Sequence, residues 1–177
     1  MACWNVIDHT EFSGSANYYE KTSIPSTYDH LCFKASARSD ISDYYDFCNF
    51  EFNGDTTAGN YASQFMQTFS SGTPSVSNGT NYTHGGQINA ASSLADTFGV
   101  VEIWIPNYAN TVGYKQVITT YGAPNDSATS NQFALGICSS VWESTAAINA
   151  FKYMVYGGSD NMVQYSTFTL YGINGAA

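Results

Sequence analysis

The period of its hydrophobicity limits this chain more than any other feature. No helix-length stretch repeats its apolar positions every 3.6 residues, whereas short stretches alternate every second residue along most of the sequence. Leu31, Phe33, Ala35 and Ala37 fall on one side, Cys32, Lys34, Ser36 and Arg38 on the other. Successive side chains of a strand point to opposite faces, so this spacing predicts a half-buried strand. Residues 44–52 repeat the pattern, with Phe50 and Phe52 opposed to Asn49 and Glu51. The stretch ends in Asn53-Gly54-Asp55, residue types that tolerate the positive φ of a tight turn. Tyr61, Phe65 and Phe69 share a face in the next strand, and further strands are expected over 98–106, 114–121, 132–140, 148–156 and 166–173. Weaker ones fall at 4–8 and 18–22. Asn107, Gly113, Gly122 to Asp126 and Gly157-Gly158 punctuate the series. Residues 70–87, rich in Ser, Gly, Thr and Asn, read as a long exposed loop, and short helical turns have room at 91–96 and 144–147. Eight to ten strands without helical connectors imply an all-β, antiparallel, jelly-roll-like sandwich, one domain over residues 1–177.

Composition narrows what such a sandwich can do. Charged residues are 11% of the chain, aromatic ones 16%, and the net charge is -9. The five cations, Lys21, Lys34, Arg38, Lys115 and Lys152, are scattered, whereas phosphate backbones demand clusters, so nucleic acid is not an expected partner. The longest apolar run, 100–106, is broken by Glu102 and falls far short of the ~20 residues that span a bilayer, so no membrane is expected. Cys3, Cys32, Cys48 and Cys138 form no CxxC pair and follow no secretory signal, which predicts four free thiols buried in strands. The small tail Asn174 to Ala177 has little of its own to hold it, and a neighbouring subunit is the expected support.

No catalytic, cofactor or metal constellation is expected. His9, His30 and His84 have no ligand spacing, and Asp29 beside His30 would point to the opposite face of a strand. Glu102 lies between Val101 and Ile103, on the same face as Val100 and Trp104, and is expected to face solvent or another subunit. Asp40, Asp43 and Asp46 read as a solvated loop, with Arg38, the single arginine, expected to pair with one of them.

Five ordered segments carry a resemblance. They are Ile24 to Leu31 with Ser36 to Asp40; Phe52 to Asp55 with Asn60 to Ser63; Ile105 to Ala109; Trp142 to Ile148; and the closing Ser166-Thr-Phe-Thr-Leu-Tyr-Gly-Ile173. Together they resemble phage structural proteins with a jelly-roll fold. That resemblance implies a non-enzymatic virion component on the surface of the phage particle. The expected role is a capsid decoration or cement subunit, a homotrimer bound to the major capsid protein or other virion proteins. The alternative is a tail-fibre, neck or head-fibre module that binds host glycans through residues 70–87 and 122–131. Trp142, Phe168, Leu170, Tyr28, Leu31 and Phe33 are expected in the core, and Trp104, Tyr114 and Tyr108 at a glycan or subunit contact.

Overall fold

The architecture comes from a computed structural model that describes residues 3–69, 74–80, 82–125 and 133–175. Its strands are β1 Cys3–Glu11, β2 Tyr18–Lys21, β3 His30–Ala37, β4 Tyr45–Phe52, β5 Tyr61–Phe69, β6 Pro74–Thr80, β7 Gln87–Asn89, β8 Gly99–Pro106, β9 Lys115–Ala123, β10 Ala134–Trp142, β11 Phe151–Val155 and β12 Thr167–Asn174. They form two antiparallel sheets, β1-β12-β3-β8-β9-β10-β5-β6 and β2-β11-β4-β7. Leaving out β5, β6, β9 and β10 reduces the first sheet to four strands. Renumbered, the remaining eight run 1-8-3-6 and 2-7-4-5, the strand order of a jelly roll. The four others arise as two excursions, after β4 and after β8. They meet where β10 pairs with β5 from Ala134↔Phe69 to Trp142↔Tyr61, and so extend one sheet alone.

The alternation read from the sequence sets what the two sheets bury. Leu31 and Phe33 of β3, Phe168 and Leu170 of β12, Phe50 and Phe52 of β4 and Phe151 and Tyr153 of β11 point inward into one cluster. Phe33 is its hub, with ring centroids 4.9 Å from both Phe151 and Tyr153. Aromatic pairs at such spacing add about 0.5–1.5 kcal/mol each beyond the area they bury. Trp142 closes one end, its ring 5.5 Å from that of Phe52. Tyr28 is half-buried, its ring laid on Gly172, where a Cβ would come within 2.3 Å of it.

The turn after β4 carries the chain from one sheet to the other. Asn53 and Gly54 adopt φ of 54° and 68°. The Asn53 amide accepts the Asn149 and Ala150 N–H groups and donates to the Ala147 carbonyl, which ties the corner to the start of β11. Asp55 accepts the Trp142 indole N–H at 2.7 Å, the Asn60 amide at 2.8 Å and the Thr57 N–H at 2.9 Å. The Trp142 and Asn60 bonds hold its carboxyl down at about 2.

Several expectations are corrected. The loop expected over 70–87 contains β6 and, from Thr83 to Gln87, a wholly buried segment. Residues 91–96 form turns, not helix. Arg38 pairs with no carboxylate among the described residues. Its guanidinium donates to the carbonyls of Ala91, Ser93, Leu94 and Thr97, so it pins that turn in place. Asp46 is no loop residue: it lies on β4, buried at 6% exposure. Cys3, expected to be buried, is exposed on the edge strand β1, whereas Cys32, Cys48 and Cys138 are buried.

Candidate functional site

The register of the enlarged sheet determines which side chains share its outer face. One row crosses all eight strands: His9, Thr169, Lys34, Glu102, Thr120, Ile137, Met66 and Val76. A second runs through Val6, Tyr171, Cys32, Trp104 and Ile118, and a third through Ser36, Val100, Gly122, Leu135, Thr68 and Pro74. On the jelly-roll half the face is aromatic. Trp4 meets Tyr171 edge-on at 5.4 Å, Trp104 lies 5.2 Å from His30, and the Lys34 ammonium sits 5.2 Å from the Trp4 ring centroid. On the extended half it carries an aliphatic patch, with Val76 66%, Leu135 53%, Met66 50%, Ile137 43% and Ile118 42% exposed, which Val100 of β8, 56% exposed, adjoins.

Charge at the middle of this face is self-cancelling, while Glu11 stands exposed at its β1 edge. Lys34 and Glu102 pair at 2.9 Å near its middle, and the bond to Glu102 raises the lysine pKa. Beside the pair run two shallow grooves that share Leu135. One, about 300 Å³, passes over Met66, Pro74 and Ile137; the other, about 460 Å³, over Val100, Thr120 and Gly122. The remaining cations are engaged elsewhere. Lys21 pairs with Asp8 and Lys152 with Glu51, while Lys115, on the inward face of β9, donates to the carbonyls of Gly113 and Thr145. Burial lowers the Lys115 pKa.

The inner face of the extension has the opposite character. Ser63, Gln67, Thr119 and Ser140 point inward among Phe65, Tyr121 and Trp142, and the segment Thr83–Gln87 covers them. Ser63 bonds Ser140 at 2.8 Å, and the Gln67 carbonyl oxygen accepts from both Gln87 and Tyr121. His84 is neutral, because burial pulls its pKa down to about 4. Its Nδ1 accepts the Gly86 N–H, which leaves the ring proton on Nε2, an atom without a partner among the described residues. At the rim of this layer Tyr82 and Tyr156 flank a recess of about 250 Å³ floored by Phe47, Asn49, Phe65 and His84.

The structure sets one of the three residues expected at a contact apart from the other two. Trp104 is on the outer face, half-buried. Tyr114 is 58% exposed, in the loop before β9, where it lines a recess with Pro106 and Gln116 at one end of that face. Tyr108 is a correction: it is fully buried, its hydroxyl donates to the Pro25 carbonyl, and it belongs to the core, out of reach of any partner. Trp142, Phe168, Leu170, Leu31 and Phe33 lie in the core cluster, and Tyr28 packs against it. Glu102 stands on the outer face, ion-paired. Among the described residues no three His, Cys, Asp or Glu side chains are grouped to hold a metal. The outward aliphatics were missed because each looks unremarkable in its own strand. The signal available was that 134–142 is apolar on both faces, with Leu135 and Ile137 opposed to Ala134, Cys138 and Trp142.

Fold and face together define an antiparallel jelly-roll sandwich with one sheet doubled in width and an aliphatic patch on its outer face. Comparison with protein-family models, curated proteins and solved structures finds no significant match.

Proposed function

We propose that this chain is a non-enzymatic structural subunit of a bacteriophage particle, a decoration or cement protein that binds the coat through the outer face of its eight-stranded sheet. One observation carries the docking role: on the extended half Met66, Val76, Ile118, Leu135 and Ile137 point outward and stand exposed, while Ser63, Gln67, Thr119 and Ser140 of the same strands point inward and are buried. Apolar patches of this extent on a soluble protein mark surfaces that another protein covers. Strands about 4.8 Å apart and about 3.4 Å per residue give the whole face an area of roughly 1,000 Å², comparable to the ~800 Å² that a standard interface takes from each partner. The neutral Lys34–Glu102 pair lets a chain of net charge -9 approach without presenting like charge at the contact. The phage assignment itself rests on the family resemblance of the sequence segments.

The test is binding to undecorated phage heads, with Met66→Asp and Ile137→Asp as probes. Each is expected to weaken binding at least tenfold while the thermal midpoint of the isolated protein stays put. Unchanged binding overturns the face assignment, and absence of the chain from purified virions overturns the phage reading. Copy number separates the variants of the proposal: hundreds per particle for a decoration protein, a few to tens for a neck or fibre protein.

The Tyr82–Tyr156 recess favours a second reading, a fibre or neck module that takes a host glycan. Ring faces, the Asn49 amide and a volume of about 250 Å³ suit one sugar residue. Saturable glycan-array binding abolished by Tyr156→Ala, with head binding absent, would support this reading over the first.

A further inference from the structure

The two sheets have four edges, and three carry a device that prevents a further strand from joining. β1 is bulged between Val6 and Asp8 and carries Asp8, His9 and Glu11. β2 is four residues long and ends in Glu20-Lys21. β7 is three residues long, all buried. β6 has none of these defences along its length. It runs seven residues, Pro74-Ser-Val-Ser-Asn-Gly-Thr80, without a charge or a bulge, in unbroken register with β5 from Thr68↔Pro74 to Ala62↔Thr80. Its one proline stands at the first position, where it blocks nothing beyond its own N–H. No described residue pairs with its other side.

We infer that β6 is an association edge and that its occupant is β6 of a second copy, paired antiparallel about a twofold axis. A bare edge presents a row of N–H and C=O groups whose complement is another extended strand. Identity of the two strands satisfies an isologous contact, in which each copy uses the same patch. Charge selects this edge over β1 and β2, because two chains of net charge -9 repel least where neither carries a charged side chain, and length selects it over the three-residue β7. The axis stands perpendicular to the sheet, so both outer faces remain on one side. The Val76, Met66 and Ile137 surfaces of the two copies then join across it into one apolar band. The resulting symmetry is twofold, in place of the threefold one expected from the sequence. Dimerisation is independent of the coat reading; its consequence, a doubled docking face, rests on it.

Sedimentation equilibrium of the purified full chain tests the pairing. Seven residues of edge are less than a standard interface, so a dimer with Kd of about 1–100 µM is expected. Val76→Asp and Asn78→Lys each bring like charges together across the axis and are expected to weaken dimerisation at least tenfold, with circular dichroism and thermal midpoint unchanged. Val6→Asp on the β1 edge is expected to leave it intact. A chain that stays monomeric at about 500 µM, a trimer, or a dimer insensitive to both β6 variants while sensitive to Val6→Asp would overturn the inference. Because no phage head is present, failure here leaves the docking face standing, and loss of head binding leaves the dimer standing.

Discussion

Replacing Asp46 by asparagine should stabilise the protein, and should do so only on the alkaline side of the carboxyl's titration. Asp46 points inward on β4, on the same side as Cys48, Phe50 and Phe52, and its Oδ2 has no hydrogen-bond partner among the described residues. Burial raises its pKa from 3.8 to about 6. The negative fields of Asp160 and Asp40 add to the rise, while the Ser39 hydroxyl and the Phe47 N–H oppose it. The Ser39 hydroxyl lies close enough to ease the shift electrostatically, yet neither it nor Asp46 Oδ2 completes a hydrogen bond. Below about pH 3 the carboxyl is protonated in folded and unfolded chains alike, and the site is neutral to stability. Between about pH 3 and 6 the unfolded chain ionises first, and stability falls, so that roughly a fifth of the penalty is already present at pH 4. Above pH 6 the full penalty is present and constant. A shift of two units corresponds to about 3 kcal/mol, which water reaching the site and relaxation reduce to about 1–3 kcal/mol. Urea unfolding of wild type and Asp46→Asn at pH 4.0, 5.0, 6.0 and 7.5 reads the difference directly, because all other titrations cancel between the two proteins. The variant's advantage should grow from roughly a fifth of its plateau at pH 4.0 to the full plateau by pH 7.5. An advantage independent of pH, or a loss at pH 7.5, refutes the reasoning.

Two further perturbations test how the corners are held. Asp55→Ala removes the acceptor of the Trp142 indole, Asn60 and Thr57; since the folded carboxyl titrates at about 2, its contribution is present above pH 4 and lost as pH falls toward 2. Partial exposure limits that contribution to about 1–2 kcal/mol at pH 7, measurable as a shift in urea midpoint that vanishes near pH 2. Gly172→Ala places a methyl within 2.3 Å of the Tyr28 ring and should cost about 1–3 kcal/mol; Tyr28→Ala in the same chain should recover part of it, and a double-mutant cycle by thermal unfolding measures the coupling.

Strands with one apolar face were legible in the sequence because alternation and burial coincide in them. Leu31 and Phe33, Phe50 and Phe52, and Phe168 and Leu170 all fall inward as their spacing predicts. The strands β6 and β7 were not legible, for different reasons. β6 pairs on one side and keeps both faces largely wet, so Val76 is its single apolar residue and no alternation develops. β7 is Gln-Ile-Asn, polar by composition and wholly buried, because Gln87 donates to Gln67 and Asn89 donates to Thr97 and Pro124. A buried polar group with partners leaves no mark in a hydropathy pattern. Arg38 shows the same limit. Its charge suggested an aspartate partner, yet four carbonyls of one turn offered the planar fork a better match. The candidate face was half legible: the strand holding Trp104 and Glu102 could be oriented by alternation, but Met66, Val76, Val100, Leu135 and Ile137 come from four strands, and sheet order alone unites them.

The orientation of those strands is itself informative. Side chains in a sheet repeat every two residues, so a one-residue slip of β5, β10 and β9 would turn Met66, Leu135, Ile137 and Ile118 inward and bring Ser63, Gln67, Ser140 and Thr119 out to water. For an isolated molecule that exchange looks favourable, at roughly 25 cal/mol for each Å² of apolar surface buried. Two features oppose it. Tyr61, Phe65, Tyr121 and Trp142 alternate in the same phase as the inward polar residues and would be expelled with them. Moreover, Gly136 fits where it stands because the Tyr121 hydroxyl lies within 2.3 Å of the position a Cβ would take. The aromatic residues thus lock the register, and the polar residues between them are held inside with Thr119, Gln87 and His84 each leaving a side-chain atom unpartnered. Holding such groups inside and aliphatic ones outside lowers the stability of the free chain, a loss that the proposed docking would recover by removing the outer face from water. On the docking role proposed above, the extension would be an assembly element attached to a jelly roll whose strand order is complete without it.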